Sequence, residues 1–201
     1  MTHLHNLESI LQTGGLYCEN EKARRQLGAV SIAHAHIKER RGRRMVPVAA
    51  GGTLNDYVPF YFAPRSPMLY AIYKGNVEGY QDGQNPILHL TSSVKAVEEA
   101  GLPFAFTDGH AEMAISDFFA DTDRLDKVDW DIMKATYWAD TIEDNDRSRR
   151  RLAEFLVRAF FPWELVSVIG VINNAIADEV REAIAPLAHQ PEVKVQRNWY
   201  Y

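Results

Sequence analysis

Apolar positions recur along this chain in short bursts, and the spacing within each burst predicts an element. Leu4, Leu7, Ile10 and Leu11 share one face of a short amphipathic helix over 4–11, which Gly14-Gly15 ends. Leu16-Tyr17-Cys18 is a short apolar stretch, and Glu19 to Leu27 reads as polar loop or frayed helix. Met45-Val46-Pro47-Val48 has the look of a short edge strand, because Pro47 has no N–H for a ladder. Gly51 to Asp56 is a turn, and Tyr57 to Phe62 is a dense aromatic strand. After Pro64 to Pro67, Met68 to Tyr73 forms a helix. Pro86 to Leu90 is a strand, Ser93 to Ala100 a helix with Val94 and Val97 inward, and Phe104 to Thr107 a strand ended by Asp108-Gly109. Ala114 to Phe119 reads as short helix, and Asp121 to Ile142 as a polar stretch anchored by Trp130, Tyr137 and Trp138. Strands follow at 154–157 and 165–171, the latter apolar on both faces, then a helix over 174–188 and a strand at 193–195. Roughly six or seven short strands with short helices between them predict an α+β chain rather than alternating βαβ units.

The 201 residues fit a single domain, 1–201, long enough to bury a core. No stretch approaches the length of a membrane span, and the N-terminus lacks the charged head and apolar run of a signal peptide. Cys18 is the single cysteine, which excludes an internal disulfide and a cysteine-only metal cluster. Together these predict a cytoplasmic protein. The net charge of -5 argues against a uniformly basic coat for nucleic acid. The distribution, however, gathers Lys38, Arg40, Arg41, Arg43 and Arg44 into one basic cluster, and Arg147, Arg149, Arg150, Arg151 and Arg158 into another. A local basic groove on an acidic body suits a phosphate-bearing ligand, although a solvated face explains either cluster alone.

Exclusions narrow the chemistry. His3 and His5, like His34 and His36, lack the i, i+4 spacing of a helical zinc pair, and HExxH is absent, so no metal is expected. Ser66 has no GxSxG context, and neither Gly14-Gly15 nor Gly51-Gly52 fits a P-loop or a GxGxxG fingerprint. What stands out is Glu154, set inside the apolar run Leu152 to Val157 directly after a block of arginines. An ionised carboxylate in such surroundings is costly unless paired, and desolvation beside a charge is how catalytic acids and bases are tuned.

Three segments, Thr2-His3-Leu4-His5-Asn6-Leu7 to Gly14-Gly15-Leu16, the arginine cluster followed by Val58-Pro59-Phe60-Tyr61-Phe62-Ala63-Pro64-Arg65-Ser66-Pro67-Met68-Leu69-Tyr70, and Arg149-Arg150-Arg151-Leu152-Ala153-Glu154-Phe155-Leu156-Val157, occur in the order found in one family. With them the chain resembles the DarT family of DNA ADP-ribosyltransferase toxins over nearly its whole length. The resemblance implies an ADP-ribosyltransferase-like split mixed β-sheet with an NAD-binding cleft and surrounding short helices. It implies Glu154 as the catalytic glutamate and Arg41 as the active-site arginine, with Arg44 in reserve. His3, in the family's N-terminal motif, would contact NAD with Leu4, His5 and Asn6, and Tyr61 and Tyr70 would pack around the nicotinamide. Core packing explains the two tyrosines as well. The chain starts almost at the N-terminal motif, without the segment that precedes it in the family.

The implied reaction suits these residue types. Losing nicotinamide leaves positive charge on the ribose, much as in glycoside cleavage, and a carboxylate there stabilises it. The NAD diphosphate calls for arginine. The segment before Glu154 corresponds to a target-selecting loop, where Arg147, Arg149 and Arg150, with Arg44, would meet DNA phosphates and Tyr137 or Trp138 would stack on bases. An exposed loop with internal ion pairs is the plainer reading of the same residues. The family's function is a toxin that moves ADP-ribose from NAD to thymine in single-stranded DNA, opposed by a macrodomain antitoxin of the DarG type. Alternatives are the same fold acting on guanine, RNA or protein, or a non-catalytic single-strand-binding module.

Overall fold

The computed structural model describes residues 1–32, 34–48 and 50–201, with the backbone alone at Ala35. Strand β1 (Thr2–His3) turns through a 3-10 segment into helix α1 (Leu7–Gln12), then β2 (Gly15–Tyr17) and α2 (Glu19–Arg24). Helix α3 (Ala35–Arg43) precedes β3 (Tyr57–Tyr61), α4 (Pro67–Tyr73), β4 (Ile87–Thr91), α5 (Val94–Glu99), β5 (Phe104–His110) and β6 (Phe118–Phe119). Helices α6 (Trp130–Lys134) and α7 (Arg147–Arg151) lead into β7 (Ala153–Arg158) and β8 (Phe160–Pro162), and β9 (Val168–Val171), α8 (Asn174–Ile184) and β10 (Glu192–Val195) complete the order. Two four-stranded sheets result, β1-β4-β9-β10 and β3-β7-β5-β6, with β2 and β8 as a separate antiparallel pair. The β9–β10 pairing is parallel and the other sheet pairings are antiparallel. One buried cluster joins Leu88, Leu90, Ile169 and Val171 of the first sheet to Val58, Phe106, Phe155 and Val157 of the second. The expected split mixed architecture is therefore the observed one.

Several local expectations change. Met45 to Val48 forms only a bridge, Met45 to Thr53, because Pro47 and the following turn leave no ladder to extend. Asp108-Gly109 does not end its strand: β5 runs on to His110 through a bulge. The stretch 114–119 is a turn followed by β6, not a helix, since Phe118 and Phe119 pair with Thr107 and Phe106. The 165–171 segment splits into a 3-10 turn at Trp163–Leu165 and β9. Residues 19–24 do form a helix, capped by the buried Cys18, whose Sγ accepts from the Glu21 N–H. The second basic block is α7 itself.

His89 of β4 is 5% exposed and its Nε2 has no hydrogen-bond partner among the described residues, while the Trp199 and Tyr200 rings meet its ring edge-on. Burial, and then the neighbouring N-terminal amino group, push its pKa from 6.5 down to about 3. The unfolded chain therefore takes up this proton more readily than the folded one. The stability from a neutral His89 is complete above pH 6.5 and is lost as the pH falls toward 3. Burial is also the leading cause that lowers the pKa of His3 and His110, in the same sense. Urea unfolding from pH 7 to pH 4 is expected to lose several kcal/mol of stability, and His89→Phe is expected to flatten much of that slope.

Candidate active site

Alternation along β7 explains how a glutamate sits in an apolar strand. Ala153, Phe155 and Val157 point into the main core, while Leu156 joins a smaller cluster on the opposite face with Val46, Leu54, Tyr57, Ala105 and Ala111. Glu154 and Arg158 share that second face. Arg158 binds the carbonyl of Gly51 and covers the Tyr57 ring, closing one end, while Glu154 faces a cleft at the other. Tyr61 stands directly opposite Glu154 in the β3–β7 register, so the two side chains emerge on one face.

The bulge in β5 completes the site. Phe106 faces Phe155 and His110 faces Ala153, so four steps along β5 match two along β7. The freed Thr107 hydroxyl accepts from the Glu154 N–H (3.0 Å) and donates to the Gly109 carbonyl (2.6 Å). That detour sets His110 on the cleft wall and aims the Ala111 N–H at Glu154 Oε1 (3.3 Å). Bulges often re-aim side chains beside active sites.

The arginines of the last turn and C-cap of α3 diverge to separate acceptors. Arg40 pairs with Glu112 (2.5 Å), and Arg44 donates to the carbonyls of Ala111 (3.3 Å) and Met113 (3.2 Å). Arg41 reaches Glu154, with Nη1 3.0 Å from Oε1 and Nη2 2.9 Å from Oε2. The second contact is out of hydrogen-bond alignment, and among the described residues neither Nη2 nor Oε2 has another partner. Burial opposes the charge on Arg41, but the Glu154 carboxylate outweighs it and raises the arginine's pKa. Burial first, and then Glu154, push the Tyr61 phenol up, against the pull of Arg41. Burial lowers the pKa of His110 despite Glu154 and Glu112, which keeps the imidazole neutral at pH 7. At Gly42 a Cβ would lie 2.9 Å from Asn55 Nδ2, which donates to the Lys38 carbonyl, so a side chain there would displace that amide.

The cleft, about 270 Å³, is lined by Thr2, Asn6, Arg41, Tyr61, His110 and Glu154, together with the irregular segment 27–32. Asn6 holds that segment at two points. Its Nδ2 donates to the Val30 carbonyl (3.0 Å), and the Val30 N–H donates to its Oδ1 (2.7 Å). Of the expected dinucleotide contacts, Asn6, Arg41 and Tyr61 meet Glu154 here. His3, Leu4 and His5 lie outside the lining. His3 Nδ1 accepts from the His5 N–H (3.1 Å), so the proton sits on Nε2, 3.3 Å from Asp82. Leu4 packs on the core and His5 is exposed. Tyr70 faces outward from α4, against Trp138 and Tyr201.

The expected DNA contacts divide in the same way. Arg149 is held by Asp146 (2.7 and 2.8 Å), Asp108 (3.1 Å) and the Ser116 hydroxyl (3.1 Å). Arg150 lies among Asp129, Asp144 and Asp146. Both charges are met by carboxylates, from the loop itself, from β5 and from the N-cap of α6. Arg147 donates to the carbonyls of Ala139 (3.1 Å) and Tyr137 (2.7 Å), tying the loop across its base. The buried Arg151 beneath it serves the carbonyls of Ile132, Met133, Ala135 and Arg65. Tyr137 is 86% exposed, and the Trp138 N–H donates to the Tyr201 hydroxyl (3.2 Å). Sequence reasoning missed Thr107, His110 and segment 27–32. The only signal was the polar Thr-Asp-Gly-His run at the end of β5, which reads as a turn.

The polar atoms left open at the Arg41–Glu154 pair suit a dinucleotide: an anion for the guanidinium and a ribose hydroxyl for the carboxylate. Comparison with known proteins agrees. The family model for DarT, the ssDNA thymidine ADP-ribosyltransferases, matches residues 1–201. A DNA ADP-ribosyl transferase of Thermus sp. strain 2.9 is 48% identical over 203 residues, spanning 100% of this chain and 94% of that protein. The Thermus sp. 2.9 DarT structure in complex with ADP-ribosylated ssDNA superposes with a TM-score of 0.93 at 47% identity, covering 100% of this chain and 93% of that one. The same protein in complex with NAD+ gives a TM-score of 0.89 at 44% identity, covering 100% and 94%. A Thermosipho africanus fusion of a DNA ADP-ribosyl transferase with a DNA ADP-ribosyl glycohydrolase is 24% identical over 185 residues, 92% of this chain and 44% of that protein. Fold and site together define an NAD-dependent ADP-ribosyltransferase. Within that class, the chain belongs to the DarT family and is a DNA ADP-ribosyltransferase.

Among the described residues, no group of three or more His, Cys, Asp or Glu side chains is placed to hold a metal, and no helix is long and apolar enough to cross a membrane.

Proposed function

We propose that residues 1–201 form one catalytic unit that transfers ADP-ribose from NAD to a thymine base of single-stranded DNA, with Glu154 and Arg41 at its centre. The observation that carries this reading is the Arg41–Glu154 pair, with Glu154 1% exposed and its Oε2 without a hydrogen bond at the cleft wall. The bond from ribose C1 to nicotinamide breaks, and its electron pair leaves on the nicotinamide nitrogen. Glu154 stabilises the cation that develops on the ribose. A thymine ring nitrogen bonds to C1, and its proton passes to the carboxylate. The neutral His110 in the same lining can take that proton on. Arg41 positions the dinucleotide, Tyr61 flanks the nicotinamide, and the loop 137–147 meets the DNA. A fusion relative that carries a DNA ADP-ribosyl glycohydrolase supports a toxin role opposed by a macrodomain antitoxin that removes the mark, and the cytoplasm is the compartment that this reading assigns to it.

Incubation with NAD and a thymidine-containing oligonucleotide tests this reading. The expected result is a mass gain of one ADP-ribose with one nicotinamide released, and no gain on an oligonucleotide without thymine. Labelling of guanine, RNA or protein instead would move the acceptor. Asn6→Ala removes both ties to segment 27–32. Each hydrogen bond contributes roughly 1 kcal/mol, so the KM for NAD is expected to rise by up to roughly thirtyfold, with kcat changed much less. Steady-state nicotinamide release reads both.

A further inference from the structure

One exposed aromatic face takes no part in the chemistry described above. Tyr70 and Tyr73 of α4 are 40% and 47% exposed and gather around Tyr201. The Tyr70 and Tyr201 ring centres are 5.0 Å apart, Tyr73 stacks on Tyr201 at 6.0 Å and 25°, and Trp138 meets Tyr70 edge-on at 6.4 Å. Two cations sit over these rings. The Arg65 guanidinium lies 4.4 Å from the Tyr201 centroid, and Lys74 Nζ lies 5.4 Å from that of Tyr70 and 5.1 Å from that of Tyr73. Among the described residues neither Arg65 nor Lys74 has a carboxylate partner, in contrast to Arg149 and Arg150. Among the described residues the buried Arg65 Nε has no hydrogen-bond partner.

The position of this face is as telling as its composition. Met68, on the same helix as Tyr70 and Tyr73, lines the cleft. Trp138 leads directly into the loop tied by Arg147. The face therefore lies between the cleft rim and the target loop. Exposed rings with unpaired cations above them are what single-stranded nucleic acid uses: bases stack, and phosphates take the charge. Packing alone does not call for Tyr70 and Tyr73 to stand 40% and 47% exposed, nor for Lys74 to lie beside them without an acid among the described residues.

We propose that Tyr70, Tyr73, Tyr201, Arg65 and Lys74 form a stacking track for nucleotides flanking the modified base, an inference that rests on the DNA-directed reading above. The test is the double variant Tyr73→Ala/Lys74→Ala, two exposed positions, on two substrates: a minimal thymidine oligonucleotide of about four nucleotides and one of about sixteen. The KM for the long oligonucleotide is expected to rise roughly tenfold, while the KM for NAD and turnover on the short one stay as in the parent. An unchanged KM for the long strand overturns the track, as does an equal rise on the short strand or for NAD. Salt-dependent binding of a labelled long strand, read without NAD, separates the two ideas. If the parent modifies no oligonucleotide yet binds one and the variant does not, the catalytic reading fails and the track stands. If both bind alike, or duplex DNA shows the same loss, the track fails.

Discussion

Glu154→Gln is expected to cut ADP-ribose transfer by roughly a thousandfold while the protein still folds. The amide keeps the shape of the carboxylate, and its oxygen can still accept from the Arg41 Nη1 and Ala111 N–H donors that now meet Oε1. Its NH₂ then faces Arg41 Nη2, donor against donor, in place of an oxygen 2.9 Å away. What disappears is the negative charge available to a ribose cation, which is needed mainly in the transition state. The loss therefore falls on kcat, and NAD binding by calorimetry is expected to change little. Transfer within tenfold of the parent would remove Glu154 from the centre of the mechanism.

Arg41→Ala is expected to be the more damaging change to the protein itself. It leaves an almost fully buried carboxylate with one backbone N–H at 3.3 Å. Removing one partner of a buried ion pair costs about 3–5 kcal/mol, readable as a lower denaturation midpoint with an unchanged slope. Transfer is expected to fall roughly a hundredfold or more, since a charged donor is lost from the site. Arg41→Lys restores the charge but not the two-point fork, so it is expected to recover most of the stability and little of the turnover. The double variant Arg41→Ala/Glu154→Gln is expected to be more stable than Arg41→Ala alone, because the stranded charge is gone. Equal stability of the two would mean that the pair carries no such coupling.

Much of this protein was legible from its sequence. The aromatic run at 57–62, the apolar segment around Glu154 and the N-terminal motif marked β3, β7 and the first helical turns, because burial on one or both faces leaves a periodic trace. Motif order also pointed to the family that the comparisons then showed. Failures came where a side chain or a bulge, rather than periodicity, decides the backbone. Thr107 takes over a ladder bond of β7, so β5 passes through an apparent turn. Phe118 and Phe119 have helix-compatible spacing but pair across to β5. The second arginine block left phosphate contacts and internal ion pairs both open, and only the fold brings Arg149 and Arg150 to acids of β5, of the α6 N-cap and of the loop itself.

By itself, the sequence determined that one carboxylate must lie inside an apolar strand and that cations stand on both sides of it in the chain. Only the tertiary structure decided which cation pairs with that carboxylate. Arg40, Arg41 and Arg44 are chemically alike and adjacent, and the choice depends on the direction in which α3 meets a strand 113 residues further on. Hydrophobic spacing records which face of an element is buried, but the partner of a charged side chain is set by distances between elements, which no local pattern encodes.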